Sequence, residues 1–156
     1  MGMGGKRVAE IEIRRIEKGE VDGALELVMS VFMAFEAPDY SEEGVEAFKR
    51  TAVYNPAFIE SLLFYGAFSE NGLVGVIATR NEGSHIALFF VDARYHRKGI
   101  GRKLFEAALN DCPSEEMTVN SSPYAVEAYH RLGFMDTAEE QIRDGIRYTP
   151  MVYKKV

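Results

Sequence analysis

Two glycines one residue apart stand inside a run of cations, His96-Arg97-Lys98-Gly99-Ile100-Gly101-Arg102, with Arg94 before it and Lys103 after it. Glycine has no β-carbon, so its backbone can come close to another group. The first amides of a helix lack a partner within it and carry the positive end of its dipole, so a glycine-lined helix start offers N–H donors to an anion. Holding a phosphate or diphosphate is the chemistry this spacing suits. A tight strand-to-helix turn would use the same glycines without a ligand, and charge runs are commonly solvated faces. The net charge of −6 over 156 residues makes this a local cationic site on an acidic protein, which favours a small anionic ligand over a nucleic-acid surface.

Two common phosphate motifs do not match. A P-loop needs Gly-Lys-Ser/Thr, but Gly101 is followed by Arg102 and Lys103. A dinucleotide fingerprint needs a third glycine where Leu104 stands and an acid near the ribose, where Asn120 lies. A phosphate- or nucleotide-binding protein of another type stays open.

The cradle needs a strand before it and a helix after it. Ile86 to Val91 is an apolar run too short for an independent helix and rich in strand formers. Ile100, Leu104, Ala107 and Ala108 share one face of a helix. Upstream, Val8 to Ile16 reads as a first strand, and the apolar spacing from Glu20 to Phe35 as a helix ended by Ala37-Pro38-Asp39. Ser41 is placed as an N-cap for a second helix to about Arg50, behind an acidic loop carrying Glu36, Asp39, Glu42 and Glu43. Leu63 to Ser69 and Leu73 to Thr79 flank Asn71-Gly72, which predicts a hairpin with a type I′ turn, and Asn81-Glu82-Gly83 predicts a second turn. Downstream, Glu116 to Asn120 reads as a strand. Ser121 or Ser122 caps a helix from Pro123 that stops at Gly133, and Phe134–Gln141 with Ile146–Lys154 close the chain as a hairpin. Pro150 lacks a donor, so the last strand is expected at an edge or interrupted.

A 156-residue chain with 47% hydrophobic and 27% charged residues suits one soluble domain, expected over residues 8–156. Residues 1–7, MGMGGKR, read as a disordered tail or a cloning scar rather than a signal peptide. Cys112 is the only cysteine, which excludes an internal disulfide, and His85, His96 and His130 lack the spacing of a metal site. No apolar run approaches the roughly 18 residues of a membrane span. A cytoplasmic protein without metal, membrane or nucleic-acid partners is the expectation.

Strand, x-x-Gly-x-Gly, helix resembles the pyrophosphate motif Gln/Arg-x-x-Gly-x-Gly/Ala of the GNAT (GCN5-related) N-acetyltransferases, with His96 departing from the pattern at its first position. A second stretch, Asn120 to Phe134, is similar to that family's Asn followed by a helix ending Tyr-x-x-Leu-Gly-Phe. The resemblance covers essentially the whole chain. It implies an α+β, three-layer acyl-CoA N-acyltransferase fold, with a mixed, mostly antiparallel sheet flanked by helices. It further implies acetyl-CoA as cofactor, an amine of a small molecule or peptide as acceptor, and a homodimer, with the strand near Pro150 a candidate contact. The pantetheine would lie along Phe90 and Val91, the pyrophosphate at His96, Arg97, Lys98, Gly99, Ile100, Gly101 and Arg102, with Asn120 on the cofactor arm. Tyr129 would be the general acid.

The chemistry fits these residue types. An amine attacks a thioester carbonyl, and the departing thiolate, near pKa 8.5, can take a proton from a phenol near 10 at modest cost. Tyrosines at helical spacing usually pack, so Tyr129 has a structural alternative. Glu36 and His85 are the candidate bases, each with solvation as its ordinary fate. A non-catalytic acyl-CoA-binding regulatory module remains the competing reading.

Overall fold

The computed structural model describes residues 10–155. The expected tail at 1–7 and the start of the expected first strand at Val8 lie outside them. Among the described residues eight strands, β1 (Glu12–Arg15), β2 (Leu63–Ser69), β3 (Gly72–Arg80), β4 (His85–Val91), β5 (Glu116–Ser121), β6 (Met135–Asp136), β7 (Gln141–Arg143) and β8 (Ile146–Lys154), accompany five α-helices. These are α1 (Val21–Val31), α2 (Glu42–Phe48), α3 (Pro56–Glu60), α4 (Ile100–Asn110) and α5 (Val126–Leu132). The strands run in the order β1-β2-β3-β4-β5-β8-β6, with β7 paired to β8. Neighbours are antiparallel except β4 and β5, which run parallel and pair only at His85↔Thr118 and Ile86↔Val119.

The sheet carries a core on each face. Ala24, Val28 and Phe32 from the α1 side pack with Val76, Leu88 and Phe90. Ile100, Leu104, Phe105 and Ala108 of α4 pack with Ile77 and Ile86 on the other face. Ile86 and Leu88 are two residues apart yet belong to opposite cores. The cause is a bulge: Ala78 pairs with Leu88 and Thr79 with Ile86, leaving Ala87 extra. An inserted residue flips the alternation and bends the strand. It stands where β4 parts from β5.

Helix ends follow local chemistry. The Ser41 hydroxyl accepts from the Gly44 amide at 3.1 Å, as expected. Ser122, rather than Ser121, caps the 3₁₀ turn leading into α5, and Gly133 ends that helix at φ +110°. After Val31 the first helix widens into a π-helical turn, Phe32–Glu36, then tightens into a 3₁₀ turn, Ala37–Asp39, around Pro38.

Two turn expectations need correction. Of Asn71-Gly72 only Gly72 takes a positive φ, +106°, because the Ser69 hydroxyl accepts from the Asn71 amide and fixes a different local turn. The consecutive positive φ values appear instead at Asn81 and Glu82 (55° and 57°), in the next hairpin. The second correction concerns Pro150. Its strand is interior, between β5 and β6. The Pro150 carbonyl accepts from Thr137, just past the end of β6. In an extended strand the N and C=O of one residue point the same way, so the missing donor falls at the last bond beside β6, where that pairing ends. The strand near Pro150 is therefore no open edge for a second copy.

Candidate active site

The strand, glycine-lined turn and helix form where the spacing predicts. After β4 the Asp92 carboxylate accepts from the Arg94 amide, a 3₁₀ turn covers Ala93–Tyr95, and Gly99 caps α4 at φ +81°. A β-carbon on Gly99 would meet nothing within 4 Å, and one on Gly101 only the Phe89 ring at 3.8 Å. Contrast Gly75, where a β-carbon would stand 3.0 Å from Leu104. Strand-to-helix contact therefore explains Gly75 and leaves Gly101 without a packing reason. The space over the first α4 amides is open, which fits the approach of a group from outside the chain.

The cations around it divide. Arg94 binds Asp92 through two nitrogens, at 3.0 and 3.1 Å, and Arg102 donates to the Arg131 carbonyl at 3.0 Å, tying α4 to the end of α5. Arg97, at φ +64°, and Lys98 are exposed beside the cradle. The His96 ring turns inward: Nε2 lies 2.6 Å from the Val91 carbonyl, and since a carbonyl only accepts, that nitrogen carries the proton. The same ring sits 5.2 Å from Phe35, which lies 5.1 Å from Tyr124.

Beyond Ile86 and Val119 the unpaired stretches of β4 and β5 wall a cavity of about 150 Å³. Ala87 to Phe90 form one side, Asn120 and Ser122 the other, with Glu36, Tyr129, Tyr40 and Ile146 contributing side chains. Tyr129 is 7% exposed and its ring is held edge-on by Phe89 (5.9 Å) and Phe134 (5.3 Å). Burial first, and the Glu36 charge second, raise its pKa well above that of an ordinary phenol, so it stays protonated. Glu36, at the junction of the wide and tight turns, is half-buried as a residue. Burial pushes its carboxyl up to about 7; a hydrogen bond from the Ser122 hydroxyl opposes the shift and Asp39 adds to it. Tyr40 is likewise raised, by burial and then by Glu36.

Glu36, Phe90, Asn120 and Tyr129 thus share one cavity, while Gly99, Ile100, Gly101 and Arg102 form the cradle, with Val91 between the two. His85 lies outside the cavity wall. Its Nδ1 is 2.7 Å from the Thr118 hydroxyl, which itself donates to Ser84, and burial followed by Arg80 holds its pKa down near 4. Tyr40, the Ser122 hydrogen bond to Glu36 and the Phe35–His96–Tyr124 contact were not singled out from sequence. Ser122 announced only its capping role, and the others had no local signal. Among the described residues no helix is long and apolar enough to cross a membrane, and no group of three metal-ligating side chains is present.

A family model for the acetyltransferase (GNAT) domain matches residues 36–155. No curated protein sequence matches the chain. Among solved structures, a GCN5-related N-acetyltransferase from Rhodopseudomonas palustris superposes with a TM-score of 0.79 at 20% identity, covering 96% of this chain and 99% of that one. PaiA N-acetyltransferase from Thermoplasma acidophilum, solved in complex with coenzyme A, gives 0.74 at 21% identity over 93% and 99% of the two chains. YjaB from Escherichia coli, in its apo form, gives 0.72 at 23% identity over 94% and 99%. At these identities the likeness is one of fold.

Proposed function

Because this chain belongs to the GNAT acetyltransferase family, whose acyl donor is acetyl-CoA, we propose that it transfers the acetyl group directly to a primary amine seated in the cavity. The acceptor is a small-molecule or peptide amine, and the setting the cytoplasm. The observation that carries this reading is that Glu36 and Tyr129 line one cavity beside β4, where burial favours the protonated form of each.

His96 to Arg102 and Asn120 would hold the coenzyme, with backbone amides from Gly99 onward on its diphosphate and the β4 edge at Phe90 and Val91 along its arm. When bound, it supplies an activated acetyl thioester. The rest is the work of side chains. An alkylammonium near pKa 10.4 gives its proton to an ordinary carboxylate at a cost of about 8 kcal/mol, from 1.36 kcal/mol per unit. For a carboxyl at about 7 the cost is about 4.6 kcal/mol, and desolvation of the amine lowers it further. Glu36 is therefore the base. Its charge is also one of the causes that raise Tyr129. Once Glu36 has taken the amine's proton that cause vanishes, and Tyr129 becomes a better acid when the leaving thiolate needs one. As the amide forms, the nitrogen's second proton goes to the Tyr129 phenolate and restores the phenol, and Glu36 gives its proton to solvent when product leaves.

Thiol release from acetyl-CoA in the presence of a primary amine, followed from pH 6 to 9, tests this. The expected kcat/KM rises with pH through about 7, and Glu36→Gln flattens that rise and lowers the rate. Coenzyme binding with no amine-dependent release from any amine would overturn it in favour of a binding module.

A further inference from the structure

Glu36 is the one carboxylate among the residues lining the cavity; around it stand Tyr40, Phe48, Leu88, Phe90 and Ile146. The aromatic part is fixed in advance, since Phe48 stacks on Phe32 at 4.0 Å and meets Phe90 edge-on at 6.3 Å. Behind Ile146 two elements are in close contact. The turn joining β7 to β8 presses on α2 so closely that a β-carbon on Gly44 or on Gly145 would overlap the other's backbone. Beside it, Arg147 donates to the Asp39 carbonyl at 3.3 Å and to Glu140 at 2.9 Å. Asp39 is the other carboxylate near Glu36, but it lies outside the wall and faces Arg147.

Resting on the acetyl-transfer reading above, we infer that the acceptor is a compact primary monoamine on an apolar group, aromatic or branched. A polyamine or the lysine of a peptide does not suit this site. One carboxylate pairs one ammonium, and a second buried cation would have no partner in this wall. The cavity, about 150 Å³, takes the acetyl end of the thioester as well as the acceptor's amine end, which limits what else can lie inside it. On the Ile146 side the seam at Gly44 and Gly145, where two backbones touch, leaves no way through for a long acceptor.

The test compares kcat/KM for benzylamine, putrescine, spermidine and a lysine-containing peptide with the intact protein. Benzylamine is expected to lead by about 10²-fold, the scale on which an apolar pocket discriminates against an added polar group. Ile146→Asp places a second carboxylate in the wall. It should raise putrescine relative to benzylamine by about tenfold or more, with Ile146→Ala, which adds space without charge, leaving the ratio near its original value. A folded Ile146→Asp protein with an unchanged ratio would overturn the assignment of this wall. If putrescine, spermidine or the peptide leads in the unaltered enzyme, the inference fails while acetyl transfer stands. If coenzyme binds and no amine is acetylated, both fail.

Discussion

The turn at the start of α4 and the cavity beside β5 both adjoin β4, and they are built in different ways. The first is a run of seven consecutive residues, His96 to Arg102, proposed to work through backbone amides, with two glycines leaving space beside them. The second gathers side chains from the end of α1, from α2, β4, β5, α5 and β8, all set in a partly dry interior. Backbone donors at a helix start are insensitive to side-chain identity as long as nothing blocks them. A proton-transferring pair depends on every neighbour that sets its solvation and charge. Substitutions should therefore separate the two regions cleanly, binding failing at one and turnover at the other.

The largest expected effect falls in the cavity. Tyr129→Phe should lower turnover by roughly 10²–10⁴ while leaving acetyl-CoA affinity unchanged, checked by steady-state rates beside equilibrium binding. An equal loss of affinity would erase the distinction. At the cradle, Gly101→Glu puts bulk and negative charge over the first α4 amides. The unaltered protein at 100 times Kd should gain about 2.7 kcal/mol from acetyl-CoA, or at about 2–4 °C per kcal/mol a clear rise in Tm, and the variant should gain none. ATP or NAD stabilising the protein better than acetyl-CoA would assign the cradle to another ligand.

The smallest effect is on stability. Glu36 holds its proton in the folded state up to about 7 against 4.5 unfolded, so the folded state binds more protons in that window, and this group's contribution is lost as pH rises through it. His85 runs the other way. Its folded pKa near 4, against 6.5 unfolded, makes the folded state bind fewer protons, and stability gains as pH rises between those values. Glu36→Gln should leave the His85 slope exposed, visible as a steeper increase in urea midpoint between pH 4.5 and 6.5. An unchanged slope would mean that the carboxyl is solvated.

The same contrast explains what could be read without coordinates. The turn proposed as the cradle was legible as structure because its parts are contiguous: the strand run, the glycine spacing and the helix face all lie between Ile86 and Ala108. Ser41 and Gly133 were legible because capping is local. Glu36 stood in sequence only as one carboxylate of an acidic loop, level with His85. Its place in the cavity depends on a π-helical turn, a geometry often found at functional positions but without a residue signature. The parting of β4 from β5 depends on the bulge at Ala87, hidden inside a uniformly apolar run. Asn71-Gly72 misled because a neighbouring hydroxyl, Ser69, offered the backbone another partner. Pro150 misled because a strand may end beside an interior one.

A crystal structure with coenzyme A bound tests most directly whether cradle and cavity form one site along the free edge of β4. The diphosphate should lie on the amides from Gly99 to Arg102, with the sulfur inside the cavity within reach of the Tyr129 hydroxyl. A diphosphate held elsewhere, or a sulfur outside the cavity with Tyr129 still enclosed between Phe89 and Phe134, would contradict the account.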